Sequence, residues 1–164
     1  MGVEIRESPV SEEEFEAMKR FVHDYLAASV ESETEGGRMR WYPWHSAEYR
    51  YNHICNVAEL GAEIAEQEGA NVDVTRVAAL FHDIAKLEAE QDVHAEAGAR
   101  IAREYLNSRT EYPESFVEQV CSAVADHSYE GDLADVPLET QCLMEADLLD
   151  KVGANGTTLM LLRM

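Results

Sequence analysis

The sequence predicts an all-α protein. Apolar residues recur at spacings of three and four along most of the chain, and capping residues stand before several of these runs. No segment alternates apolar and polar residues with the period of two that a half-buried strand requires. With 164 residues, 46% of them apolar, the chain is sized for one domain around one sizeable core. The expected division is an N-terminal helix and aromatic loop over residues 1–45, packed on a helical body over residues 46–164 as one compact domain.

The first helix opens in "PVSEEEF", where Ser11 is the N-cap, Glu14 closes a capping box, and Val10 is placed to staple onto Phe15. It should run to about Val30. The stretch "ESETEGGRMRWYPWHS" then turns from acidic to glycine-containing to aromatic and is the longest expected loop, lying over the site or against the body. From Ser46 the helical period resumes, with Ile54, Val57, Leu60 or Gly61, and Ile64 marking a second helix that ends near "EGAN". Asp73 is the expected cap of a third, with Val74, Val77 and Phe81 buried, and "ALFHDIAK" at residues 79–86 reads as helix too. A fourth should start at about Asp92, and Pro113 opens a fifth that reaches His127. The glycine and aspartates of "SYEGDLADVP" break the chain before a sixth helix in "ETQCLMEADLLDKVG". The end "GTTLMLLRM" extends that helix or forms a seventh.

The charge balance is unusual: 33 acidic residues face 13 basic ones, a net charge of −20, and only Lys19, Lys86 and Lys151 are lysines. Self-repulsion at that charge should weaken the folded state at low salt and be screened at high salt, which resembles adaptation to the high-salt cytoplasm of halophilic archaea. A surface of this sign argues against duplex nucleic acid as a partner, because neutralising phosphates takes basic patches. No run approaches a membrane span, and the polar start is unlike a secretory signal, so a cytoplasmic location without a membrane partner is expected. Three distant cysteines, Cys55, Cys121 and Cys142, fit reduced thiols better than a disulfide framework or a thiolate zinc site.

Helical periodicity places several ionisable residues on buried faces. His53 shares a stripe with Val57, Gly61 and Ile64; His94 shares one with Gly98, Ile101 and Ala102; His127 follows Val120, Ala123 and Val124. Asp147 falls four residues after Leu143, between Ala146 and Leu148. The pair His82–Asp83 stands in an apolar run, where an imidazole and a carboxylate without partners would cost several kcal/mol. A lone inward histidine is more often a hydrogen-bonded core residue than a ligand, but six ligand-type residues aimed at one interior point to a metal. "FVHDYL" is the internal control. Its His23–Asp24 pair lacks downstream partners and reads as structural, and His45 beside Trp44 reads as packing or lid.

These residues resemble the HD-domain superfamily of metal-dependent phosphohydrolases. The resemblance covers roughly residues 46–156 and rests on His53, His82–Asp83, His94, His127 and Asp147 with the contexts "LFHDIAK", "AVADHS" and "MEADLLDKVGANG". It implies an HD-like bundle of about six or seven helices with the metal site between them. It further implies one divalent metal on His53, His82, Asp83 and Asp147, and a second on His94 and His127 with Asp83 bridging. Nitrogen and oxygen ligands of this kind suit iron, manganese, zinc or nickel. The implied activity is hydrolysis of a small phosphorylated substrate, a nucleotide or other phosphate ester, by a metal-activated water. A di-iron oxygenase and a non-catalytic metal-binding or sensing module are the alternatives.

Asp83 and Lys86 are the expected catalytic residues, with Lys86 and Lys151 binding substrate phosphate. Each lysine falls four residues after a ligand, Lys86 after His82 and Lys151 after Asp147. Asp126 and Asp150 are candidates for holding a ligand from behind or for giving a proton to the leaving group. Two departures narrow the resemblance. Lys86 stands where the deoxynucleotide monophosphatase branch has a glutamate, and the chain stops at an apolar "LMLLRM", which leaves pocket closure open and a homo-oligomer among the expected states.

Overall fold

The computed structural model describes residues 9–32, 46–89, 93–109 and 112–153. The aromatic stretch 38–45, Asp92 and the C-terminal "GTTLMLLRM" lie outside the described residues. Among the described residues six α-helices follow in order: α1 (Glu12–Ser32), α2 (Ala47–Glu68), α3 (Val72–Phe81), α4 (His94–Arg109), α5 (Glu114–Asp126) and α6 (Leu138–Val152). A short 3-10 turn, Leu133–Asp135, occupies the expected break before α6, and no strand occurs among the described residues. None of these helices is long and apolar enough to cross a membrane.

Local sequence explains the start of α1 and both ends of α2. The capping box forms as expected, with the Ser11 amide donating to Glu14 at 2.9 Å and the Glu14 amide to the Ser11 hydroxyl at 3.3 Å. Ser46 caps α2 by accepting from the Tyr49 amide, and Gly69 closes it in the left-handed conformation at φ 77°. The start of α3 differs from expectation. Asn71, not Asp73, is the cap, accepting from the Val74 amide at 3.2 Å, while Asp73 instead binds Arg76 at 2.9 Å. Both residue types cap well, and tertiary structure decides between them: Glu139 of α6 accepts from the Asn71 amide at 2.9 Å and fixes the chain's entry there.

The end of α3 is the second difference. "ALFHDIAK" does not stay helical. α3 stops at Phe81, and residues 82–88 form successive turns with three-residue hydrogen bonds, among them Ile84 to Phe81 and Lys86 to Asp83. The cause is His82, whose Nδ1 lies 2.7 Å from the Ala79 carbonyl. That carbonyl would accept from the Asp83 amide in a continued α-helix, and the imidazole takes it instead.

α3 is the central helix. It packs on α2, α5 and α6, with α1 laid across α2 and α3 and α4 against α5. Leu80, Phe81 and Ile84 are fully buried, each contributing about 1.5–3 kcal/mol, which offsets the cost of bringing His82 and Asp83 inside. α4 reaches this segment through Gly98, where a Cβ would stand 2.9 Å from the Phe81 carbonyl oxygen and 3.3 Å from Val124. Any larger residue there would push α4, and with it His94, away from the turn that carries His82 and Asp83.

Candidate metal centre

The six inward residues form two adjoining groups. His53 of α2, His82 at the end of α3 and Asp147 of α6 make the first; Asp83, His94 at the start of α4 and His127 at the end of α5 make the second. Within each group the candidate ligand atoms lie within 4.8 Å of one another, and all six residues are buried. His23 and Asp24 pair with each other on the exposed side of α1, outside both groups.

The histidines are oriented from behind. Nδ1 of His82 meets the Ala79 carbonyl and Nδ1 of His127 meets the Val124 carbonyl, both at 2.7 Å. A carbonyl only accepts, so Nδ1 carries the proton in both rings and Nε2 presents a lone pair to the interior. His53 is held likewise by the Asp150 carboxylate at 2.6 Å from Nδ1, and Asn56 donates to the other Asp150 oxygen at 3.0 Å. A ring tied at one nitrogen with the other aimed inward is how a protein presents a histidine to a metal.

The front of the first group fits a cation. His53 Nε2, His82 Nε2 and Asp147 Oδ1 are all buried without a hydrogen-bond partner. Asp147 Oδ1 lies 3.1 Å from His53 Nε2 and 3.8 Å from His82 Nε2. Ligands about 2.1 Å from one transition-metal ion stand roughly 3–4 Å apart, so these spacings suit a shared ion. A proton on His53 would satisfy one contact and leave His82 without a partner. Three acceptors converging without a donor would be costly in a protein interior unless a positive charge lies among them. In the second group His94 Nε2 lies 3.3 Å from both His127 Nε2 and Asp83 Oδ1, and His127 Nε2 lies 3.7 Å from Asp83 Oδ1. Asp83 Oδ2 faces the other way, 3.8 Å from the Nε2 atoms of His53 and His82. One carboxylate thus addresses both groups.

Charge around the groups keeps the carboxylates ionised. Burial would raise the Asp83 carboxyl, but His82, Arg50, His127 and His94 outweigh it and hold the group well below the usual carboxylate range. Asp147 is likewise held low against burial: proton-bearing His53 and His82 rings would do this in the absence of an ion, and a cation between the three atoms would do it in their place, with Lys151 adding to either. Lys86 lies inside, its Nζ 3.1 Å from His94 Nε2 and 3.9 Å from Asp83 Oδ1, and burial lowers its pKa. Lys151 meets Asp147 Oδ2 at 2.5 Å and is half exposed. Of the two flanking aspartates, only Asp150 reaches a histidine; Asp126 accepts from Ser122 on the exposed side of α5.

One charged neighbour goes beyond the sequence reading. Arg50 is buried, and its guanidinium meets Asp83 Oδ2 at 2.5 Å. The signal was present, since Arg50 precedes His53 by three residues and so shares its helical face. Lys86, by contrast, reaches the site through the turn at 82–88 and not by the helical spacing expected for it.

A model of the HD domain family matches residues 50–152. Among curated proteins, ribonuclease Y of Pseudothermotoga lettingae is 48% identical over 59 residues, which are 35% of this chain and 12% of that protein. Ribonuclease Y of Chloroflexus aurantiacus is 34% identical over 111 residues, 65% of this chain and 20% of that protein. A tRNA (cytidine(56)-2'-O)-methyltransferase of Thermoplasma volcanium is 34% identical over 62 residues, 38% of this chain and 18% of that protein. The chain therefore spans no more than 20% of these relatives' length. Among solved structures, a predicted HD superfamily hydrolase from an uncultured Thermotogales bacterium superposes with a TM-score of 0.63 at 27% identity, over 88% of this chain and 74% of that one.

Proposed function

The chain belongs to the HD domain family, and on that premise we propose that it is a metal-dependent phosphohydrolase acting on a nucleotide or other small phosphorylated metabolite. The observation that carries the reading is the convergence of His53 Nε2, His82 Nε2 and Asp147 Oδ1, three buried acceptors without a donor. In this reading His53, His82, Asp83 and Asp147 would hold one divalent transition metal, and His94, His127 and Asp83 would hold a second. Such an ion, when bound, lowers the pKa of a coordinated water toward about 7 and polarises a phosphoryl oxygen.

The chain's own residues supply the rest. Arg50 fixes one oxygen of Asp83 and leaves the other directed at His94 and His127. Lys86 and Lys151 place positive charge beside the two groups, where a phosphate would otherwise meet a strongly acidic protein. Lys151, the more exposed of the two, meets the substrate's non-bridging oxygens; Lys86 lies deeper against the second group. The net charge of −20 favours a small substrate over a nucleic-acid duplex. The ribonuclease Y relatives act on RNA by their name, which agrees with phosphate-ester chemistry at such a centre.

A di-iron oxygenase is the second reading, favoured by the way Asp83 faces both groups. A purely structural metal would leave the second group without a role. Metal-loaded protein, assayed for phosphate release on a panel of nucleotides and phosphate esters under air and under nitrogen, separates the three. The proposal expects equal release in both atmospheres and none from Asp83→Ala. Oxygen-dependent product without phosphate release, or no turnover anywhere, would overturn it.

A further inference from the structure

A concave surface apart from the two ligand groups adjoins Phe81 through Phe21 and Tyr105. Between α1 and α4 runs a groove of about 470 Å³, within the size range of small-molecule sites, and none of its lining residues belongs to either ligand group. Its floor is aromatic: the half-buried Phe21 and Tyr25 lie with ring centroids 6.0 Å apart, and Phe21 packs at a tilt of 41° on the buried Tyr105 beneath, 4.5 Å between centroids. Its rim carries Arg100 and Arg109, the latter 5.4 Å from the Tyr105 ring, with Arg20 of α1 acting on the same tyrosine.

Charge makes this groove stand out. The chain has 13 basic residues against 33 acidic ones, so a carboxylate partner for an arginine is easy to find. Arg103 has two, Glu114 and Glu118, and Arg76 has Glu12 and Asp73. Arg20, Arg100 and Arg109 make no ion pair among the described residues. Glu104 is the one carboxylate in the lining, beside the two guanidinium groups that the same helix carries. Planar guanidinium groups above an aromatic floor complement a ligand that joins a flat ring to a phosphate.

We propose that the groove between α1 and α4 binds a nucleoside phosphate, its base against the half-buried Phe21 and Tyr25 and its phosphates on Arg100 and Arg109. The groove is tied to the candidate metal centre by two contacts. Phe81, the residue before His82, packs on Phe21 and Tyr105 at 6.3 and 5.7 Å, and Tyr25 donates to Glu88 at 2.5 Å, at the far end of the turn that carries Asp83 and Lys86. This placement suits an effector and not a second substrate position.

The test is calorimetric titration of adenosine diphosphate into the full chain with a chelator present, which silences metal-dependent turnover and so separates this site from the proposed activity. Saturable binding is expected. It should fall at least tenfold in the double variant R100A/R109A and in Ser108→Trp, which fills the groove, and stay unchanged in Asp83→Ala. Adenosine and pyrophosphate should each bind at least tenfold more weakly than the diphosphate. Circular dichroism checks that the exposed substitutions leave the helices intact. No saturable binding, loss in Asp83→Ala with R100A/R109A unaffected, or pyrophosphate binding as tightly as adenosine diphosphate would overturn the proposal.

Discussion

Replacing Asp150 by alanine should weaken metal binding by about 10–100-fold while leaving the helices folded. Asp150 accepts from His53 Nδ1 at 2.6 Å with its side chain only 16% exposed, so the contact is charge-assisted and little screened. Hydrogen bonds of that kind contribute about 1.5–3 kcal/mol. If the full contribution reaches the metal through the His53 ring, one decade per 1.4 kcal/mol gives a loss of roughly one to two decades. Asp150→Asn should lose about half as much free energy, because a neutral amide oxygen still accepts from the ring. Competition for zinc against a fluorescent chelator reads the affinity, and Asp126→Ala is the control, since Asp126 touches Ser122 and no histidine. An Asp150→Ala protein with wild-type affinity, or one matched by Asp126→Ala, would refute the idea that His53 is aimed from behind.

Three other substitutions probe the surroundings. Gly98→Ala sets a methyl 2.9 Å from the Phe81 carbonyl and should cost about 1–3 kcal/mol, read as a lower urea midpoint; a neutral effect would mean that α4 is not held against α3 there. Arg50→Ala strands the buried Asp83 carboxylate and should cost about 3–5 kcal/mol. Arg103→Ala, which loses only exposed partners, should cost less than about 1 kcal/mol, and equal costs in denaturant melts would contradict this ranking. Burial and then Glu88 raise the pKa of Tyr25, so its stabilisation is present below the ordinary tyrosine pKa of about 10 and fades as pH climbs past it. The stability difference between wild type and Tyr25→Phe should therefore narrow between about pH 9 and pH 11, and a constant gap would count against it.

The helices were legible because their causes are local. Ser11 and Glu14 sit three residues apart and cap each other in the structure as their spacing predicts. Inward placement of His53, His94, His127 and Asp147 followed from the 3.6-residue period, and all four are buried. What escaped depends on partners distant in sequence. Asn71 outcompetes Asp73 as a cap because Glu139, 68 residues later, holds its amide. α3 ends without glycine or proline, because His82 and the Ala79 carbonyl find each other and the tight turn that follows is braced by α1 and α4. The three-residue spacing to His53 puts Arg50 on the inward face, but its partner, Asp83, lies 33 residues on and only folding brings the two together. Asp150 and Asp126 look alike in sequence; only the packing of α6 on α2 gives one of them a histidine.

The most direct test is anomalous diffraction from crystals grown with manganese. The expected map has one peak among His53, His82, Asp83 and Asp147, and a second among Asp83, His94 and His127 that disappears in His94→Ala while the first remains. Well-ordered crystals with no peak among His53 Nε2, His82 Nε2 and Asp147 Oδ1, and with hydrogen-bond donors seated against those three atoms instead, would contradict it.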